Sequence, residues 1–270
     1  MKKKCFGVVI LLVIIAIFIR MFTGLLGHPY VIFIQWKFFS SSENEITLRN
    51  ISNENQLEKL RYFKSLDKLR ITNSNSFQDL HFLKALDLNE LHVVCQNAND
   101  WSMLGSQDSL EILHIVECNI SDISTFNELK NLKQLDLMSC EVKDMSSICT
   151  LKDLKVLELY NNNITDISPL ESLVNIEYLS LGRNPITNID SLSNLINLKI
   201  LVISDTEVCD ISPLKNMTQL ESLSINDTNV TDVSVLFELE NLKELYISKD
   251  QLGDEDISRL KDKGVQIKYS

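Results

Sequence analysis

Arg70, His92, His114, Asp136 and Glu158 are spaced by 22 residues, and no other series in the sequence offers as much chemistry. If a repeat of that length stacks them, His92, His114 and Asp136 fall within side-chain reach. Two imidazoles and a carboxylate are ligands that a divalent metal accepts. The plainer reading is a polar ladder in which Asp136 and Glu158 hydrogen-bond to His114, and this is the one we favour. Because imidazole titrates near neutrality, either arrangement would make binding pH-sensitive. The cysteines are Cys5, Cys95, Cys118, Cys140, Cys149 and Cys209. Five of them follow the N-terminal segment, an odd number that does not read as a disulfide framework. No Cys–His pair has a third orienting group in register, so thiol catalysis is unsupported. No enzyme, cofactor or metal is expected.

Composition narrows the classes further. The 270-residue chain has only seven glycines, and three of them, Gly7, Gly24 and Gly27, lie near the N-terminus. Neither a G-x-G-x-x-G nor a G-x-x-x-x-G-K-[ST] segment exists, so the usual backbone cradles for nucleotide phosphates are missing. The net charge of −11 divides unevenly: residues 1–40 carry +5 (Lys2, Lys3, Lys4, Arg20 and Lys37), which leaves −16 on residues 41–270. An acidic body disfavours nucleic acid, because phosphate contacts need clustered Lys and Arg.

The elements that must position the ladder come from an internal repeat. Leu66, Leu88, Leu110, Leu132, Leu154, Ile176, Leu198, Leu220 and Leu242 follow one another every 22 residues without an insertion. Leu154-x-x-Leu157-x-Leu159-x-x-Asn162-x-Ile164 is the cleanest copy, and Ile176-x-x-Leu179-x-Leu181-x-x-Asn184-x-Ile186 follows it. Alternation at Leu157-x-Leu159 predicts a strand with one buried face. The remainder of each repeat has room only for a turn or a 3₁₀ segment. Asp122, Asp144, Asp166, Asp210 and Asp232 precede that turn at one register, where a carboxylate accepts from free backbone amides. Pro169 and Pro213 follow three residues later, where a missing N–H is tolerated. Stacking buries each repeat's apolar face against its neighbours.

This pattern resembles the leucine-rich repeat. Segments such as Ile164-Thr165-Asp166-Ile167-Ser168-Pro169-Leu170 and Val208-Cys209-Asp210-Ile211-Ser212-Pro213-Leu214 are similar to the 22-residue internalin-type subclass of bacterial surface proteins. The resemblance covers residues 66–263, nine repeats. It implies an α/β solenoid: a curved right-handed superhelix with a parallel concave sheet and a convex side of 3₁₀ or short helical segments. It also implies that Asn162 and Asn184 satisfy backbone groups in a buried turn, and that Cys118 and Cys140, at the same register, replace asparagine there as buried thiols; a disulfide between the two neighbouring rungs is the alternative. Residues 28–65 are read as a juxtamembrane segment and cap, with a degenerate first strand around Ile46 and Leu48. Residues 264–270 are read as a closing strand, protected by Lys261, Lys263 and Lys268. No L-P-x-T-G sorting motif is present, a departure from the anchored internalins.

A solenoid usually binds through its concave sheet. Ile112, Val156, Tyr178 and Ile200 fall in one column of that face. His114, Asp136, Glu158, Val202 and Tyr246 fall in a second, and Val116, Met138 and Tyr160 in a third. The middle of the face is thus apolar and aromatic, which predicts a protein or peptide partner. At the other end of the chain, Lys2-Lys3-Lys4 precede an uncharged apolar run from Cys5 to Ile19. We read residues 1–27 as a single-pass signal anchor, with Arg20 snorkelling at the far interface. The lysines then keep the N-terminus cytoplasmic and place the repeats outside the cell membrane. A cleaved signal peptide is the alternative, but no A-x-A-like site follows the run. An intracellular scaffold resembling phosphatase regulators with similar repeats fits this N-terminus less well.

Overall fold

A computed structural model describes residues 31–34, 37–51, 54–72, 78, 80–98, 100–120, 122–249 and 251–269. Residues 1–27, which the sequence reading takes as a signal anchor, lie outside them. Among the described residues no helix is long and apolar enough to cross a membrane.

The chain opens with an antiparallel hairpin, β1 (Val31–Ile34) and β2 (Lys37–Ser40). Ile34 is fully buried, and Phe39 meets Phe63 edge to face at 6.2 Å, so the hairpin packs on the first turn of the solenoid. An 11-stranded sheet follows, with its strands in chain order. These are β3 (Glu45–Arg49), β4 (Lys68–Thr72), β5 (Glu90–Val93), β6 (Ile112–Ile115), β7 (Gln134–Asp136), β8 (Val156–Glu158), β9 (Tyr178–Ser180), β10 (Ile200–Val202), β11 (Ser222–Ser224), β12 (Glu244–Ile247) and β13 (Gln266–Tyr269). Every pair of neighbours is parallel, and from β4 onward each residue faces the one 22 positions on, as Leu157 faces Leu179. Between β3 and β4 the offset is one residue longer, Ile46 facing Leu69, which accounts for the first strand standing out of register. Eleven strands at the usual spacing make a face about 48 Å long.

Short 3₁₀ segments carry the chain back between strands, for example Ser146–Thr150, Ser168–Ser172 and Ser212–Asn216. Asp122, Asp144, Asp166, Asp210 and Asp232 each accept the backbone N–H two residues on, at 2.7–2.8 Å, at the start of such a segment. Asn188 does the same for Asp190 at 2.7 Å. These bonds satisfy amides that a 3₁₀ turn leaves without a partner. The carboxyls of Asp122, Asp166, Asp210 and Asp232 are held below the usual range by those N–H groups.

The last helix, α1 (Asp254–Asp262), begins with Asp254, Glu255 and Asp256 and ends with Arg259 and Lys261, charges that suit the helix dipole. Gly264 takes φ +93° just beyond it. The Gly264 N–H then bonds Lys261 O and the Val265 N–H bonds Leu260 O, which closes the helix and turns the chain into β13. Two of the three lysines read as edge guards, Lys263 and Lys268, serve differently. Lys263 donates to the carbonyls of Leu236, Phe237 and Leu239 at 2.8–3.1 Å, capping the preceding turn. Lys268 reaches inward to Glu244 Oε1 at 2.6 Å and to the Tyr246 hydroxyl at 2.9 Å. An ammonium with buried carbonyls or a carboxylate in reach gains more there than at a solvated edge.

Candidate partner-binding face

A three-residue strand has one inward and two outward side chains. In β8, Leu157 is fully buried while Val156 and Glu158 are half-buried on the open face. The register then builds the columns. Ile112, Gln134, Val156, Tyr178, Ile200 and Ser222 stand side by side in the first. His92, His114, Asp136, Glu158 and Ser180 do so in the second, with Val202, Ser224 and Tyr246 continuing it. Val116, Met138 and Tyr160 lie just past their strands and are also half-buried.

Not all of these residues come together. Val156, Tyr178, Ile200 and Val202 are contiguous across three strands, with Tyr160 beside them. Ile200 is 37% exposed, a high value for a large apolar side chain. Ile112 is separated from Val156 by Gln134. Tyr246 lies beyond Ser224 and makes its own cluster, its ring 4.8 Å from Lys268 Nζ and its hydroxyl 3.1 Å from Glu244. Ser180 shares the outward column yet is only 2% exposed.

Gly182 explains the placement of Tyr160. A Cβ at Gly182 would stand 2.9 Å from both Tyr160 Cδ2 and the Ser204 carbonyl oxygen. Only glycine lets the ring lie that close. On the other side Arg183 holds its guanidinium 5.5 Å from the ring centroid, anchored to Asp205 at 3.0 Å. The sequence columns had no place for Arg183. Its signal was its position in register with Ser139 and Asn161, one residue past the third column.

The His–carboxylate ladder takes a specific form. His114 Nδ1 donates to Asp136 Oδ2 at 3.2 Å, and the Gln134 amide donates to His114 Nε2 at 3.3 Å. With both ring nitrogens engaged, His114 has none to offer a metal. Among the described residues no group of three or more His, Cys, Asp and Glu is arranged to hold an ion. Glu158 does not reach His114, contrary to the sequence expectation. It turns the other way, accepting from the Tyr160 N–H at 2.9 Å and the Tyr178 hydroxyl at 2.9 Å. Burial, then the Glu158 charge, pushes the Tyr178 phenol up to about 12. The His92 ring lies 5.4 Å from that of His114. Burial first, then Arg70 and His114, holds His92 below its ordinary value.

Beneath the face, Asn162 and Asn184 do what the resemblance implies. Asn162 Oδ1 accepts from the N–H groups of Cys140 and Val142, and its amide donates to Leu137 O and Leu159 O. Cys118 and Cys140 stand at the same register as buried free thiols, Cys140 donating to Ile115 O at 2.9 Å. Two further ladders escaped the sequence reading. Asn131, Asn175, Asn197 and Asn241 each donate to a carbonyl of the preceding repeat at 2.7–2.9 Å. Ahead of the strands, charges pair across rungs: Glu111–Lys133 at 2.7 Å, Lys155–Glu177 at 3.3 Å, Glu177–Lys199 at 2.7 Å and Glu221–Lys243 at 2.7 Å. Both sets were visible as 22-residue series of Asn or of mixed charge.

A family model described as leucine-rich repeats (two copies) matches residues 152–194 and 174–216. Internalin C2 of Listeria monocytogenes is 26% identical, covers 78% of this chain and 85% of its own, and superposes with a TM-score of 0.58. The internalin inlF of the same organism is 21% identical over 86% of this chain and 89% of its own, with a TM-score of 0.55. The plant peptide hormone receptor RGFR1, solved in complex with RGF2, shares the fold at 18% identity and TM-score 0.60 over 78% of this chain and 37% of its own. No curated protein sequence matches significantly. Repeat length, strand register and the likeness to internalin C2 agree: the chain carries leucine-rich repeats and is similar in fold and repeat type to the internalins.

Proposed function

We propose that the chain is a non-enzymatic binding module that recognises a protein or peptide through the open face of its sheet, the concave side in a solenoid. The contiguous apolar patch of Val156, Tyr178, Ile200 and Val202 carries this reading, because Ile200 is left 37% exposed on a face that could have been polar throughout. Rigid aromatic side chains set among smaller apolar ones are what binding hot spots are made of. In the same reading residues 1–27 anchor the chain in the cell membrane, residues 28–65 lead into the repeats of 66–263, residues 264–270 close them, and the repeats lie outside. The three lysines ahead of the apolar run support that orientation.

The test joins two measurements. Tyr160→Ala and Tyr178→Ala should each weaken a partner captured from outside the cell by about tenfold or more. Unchanged affinity in both would move the binding surface elsewhere. Fractionation with added protease should find the repeats in the membrane fraction and cleavable in intact cells; a protected repeat domain would overturn the outward placement.

A further inference from the structure

The central part of the face has a charge pattern that specifies its partner further. Asp136 and Glu158 are register partners on adjacent strands, so their carboxylates are cross-strand neighbours. Each oxygen accepts one hydrogen bond, and the donors are Met138 N–H, His114 Nδ1, Tyr160 N–H and the Tyr178 hydroxyl, at 2.9–3.2 Å. These bonds orient the carboxylates without supplying a formal positive charge while His114 accepts from Gln134. Among the described residues, Glu158 has no ion-pair partner. Like charges directly across strands repel, and here the fold keeps two of them beside aromatic rings.

The cations of the same face are committed elsewhere. Lys68 and Arg70 pair with Glu90 at 3.1 and 3.6 Å. Arg183 pairs with Asp205 while lying over Tyr160, so a ring at the edge of this patch already accepts a guanidinium. The half-buried carboxylates sit against the apolar patch, on a body whose residues 41–270 carry −16. Such a field steers cations toward the molecule.

Resting on the partner-binding reading above, we infer that the partner segment presents a lysine or arginine, held by the Asp136 and Glu158 carboxylates beside Tyr178 and flanked by apolar side chains on Val156, Ile200 and Val202. The match is one of charge and shape: a cation takes the lone pairs that the tyrosines and amides leave open, and the apolar flanks cover the patch. An acidic segment or a nucleic acid would meet two carboxylates at the centre of the face.

The experiment pans a displayed library of random peptides, about twelve residues long, on the full-length chain in detergent micelles, then measures the enriched peptides by calorimetry. The expected peptides carry Lys or Arg between apolar residues. Their affinity should fall about tenfold or more in the Asp136→Asn/Glu158→Gln variant, and also when the peptide's own cation is replaced by methionine. The control variant Glu128→Gln/Glu171→Gln removes the same charge from the 3₁₀ segments, away from this face, and should stay within about twofold. Peptides that lack a cation, or that ignore Asp136→Asn/Glu158→Gln but are weakened by Tyr160→Ala or Tyr178→Ala, would overturn this inference and leave the binding face intact. Peptides insensitive to both sets, or no enrichment at all, would overturn both. The methionine-substituted peptide keeps the test decisive if the double variant folds poorly, because it leaves the protein untouched.

Discussion

Asn162→Ala removes the most connected side chain in the buried turn. Its carbonyl oxygen accepts from Cys140 N–H at 3.1 Å and Val142 N–H at 2.9 Å, and its amide donates to Leu137 O and Leu159 O, both at 2.9 Å. The residue is 7% exposed, so truncation strands two N–H groups and Leu137 O away from solvent, while Leu159 O keeps its bond from the Asn184 amide at 2.9 Å. At about 1 kcal/mol per bond the loss is about 4 kcal/mol, reduced to about 3 if a water enters the space. Asn162→Cys should be milder. A thiol there can donate to a carbonyl as Cys140 donates to Ile115 O, and can accept from an amide as Cys118 accepts from Cys95 N–H at 3.1 Å. Recovering weaker versions of some bonds leaves a cost of about 1–2 kcal/mol. Urea unfolding followed by far-UV circular dichroism measures both. Stacked repeats can unfold in parts, so hydrogen exchange at the amides of Cys140 and Val142 supplies the local reading. An Asn162→Ala cost below about 1 kcal/mol, or an Asn162→Cys variant no better than alanine, would refute the account.

Two further perturbations probe the face. Gly182→Ala places a Cβ 2.9 Å from Ser204 O, which the Arg183 N–H holds at 3.0 Å, and equally close to the Tyr160 ring. The expected result is a loss of about 1–3 kcal/mol in urea unfolding and shifted Tyr160 ring resonances; an unchanged midpoint and spectrum would sink it. Acid should destabilise the fold in two separate ranges. His92 is held below 6.5 in the folded state, so the unfolded chain binds that proton more readily. Its contribution is complete above about pH 6.5 and is lost as pH falls through the folded value. The depressed carboxyls of Asp122, Asp166, Asp210 and Asp232 act in the same direction at lower pH, stabilising above 3.8 and ceasing to do so as pH falls through their folded values. His92→Gln should abolish the upper step in melting temperature against pH and leave the lower one; an upper step that survives would assign it to another group.

What the sequence revealed depended on whether a residue's role repeats. Leu157, Asp166 and Asn162 meet the same neighbours as their counterparts 22 residues away, so a column of the sequence amounts to a column of the fold. The partners of Glu158 were not legible in this way. As a rung of the second column it has a neighbour on either side, and the choice between His114 and Tyr178 depends on side-chain direction. His114 was already taken by the shorter Asp136 and by Gln134, whereas the Tyr178 hydroxyl could reach a glutamate from the adjacent strand. Lys263 misled for a related reason: the carbonyls of Leu236, Phe237 and Leu239 that it serves belong to a turn 24–27 residues earlier, and no spacing rule connects them.

Glycine scarcity shows how a signal can be read correctly for one purpose and remain silent for another. It excluded phosphate cradles, yet it hid a backbone feature of the face. Glu117, Ser139, Asn161, Arg183, Asp205 and Asp227 all take φ between +52° and +59°, one per repeat at this register and none of them glycine. That region disfavours most L-residues. Here a forward hydrogen bond holds it: the N–H groups of Glu117, Ser139, Asn161, Arg183 and Asp205 reach the carbonyls of Met138, Tyr160, Gly182, Ser204 and Asn226 at 2.8–3.0 Å. The next repeat thus imposes a conformation that glycine would otherwise supply. Because the register no longer requires glycine, it carries Glu, Ser, Asn, Arg and Asp side chains along the rim of the open face. Arg183 uses that position to put its guanidinium over Tyr160. If the open face binds as proposed, substitutions at these six positions should alter partner preference more than they shift the urea midpoint, because the forward backbone bonds that hold five of the six do not depend on the side chain.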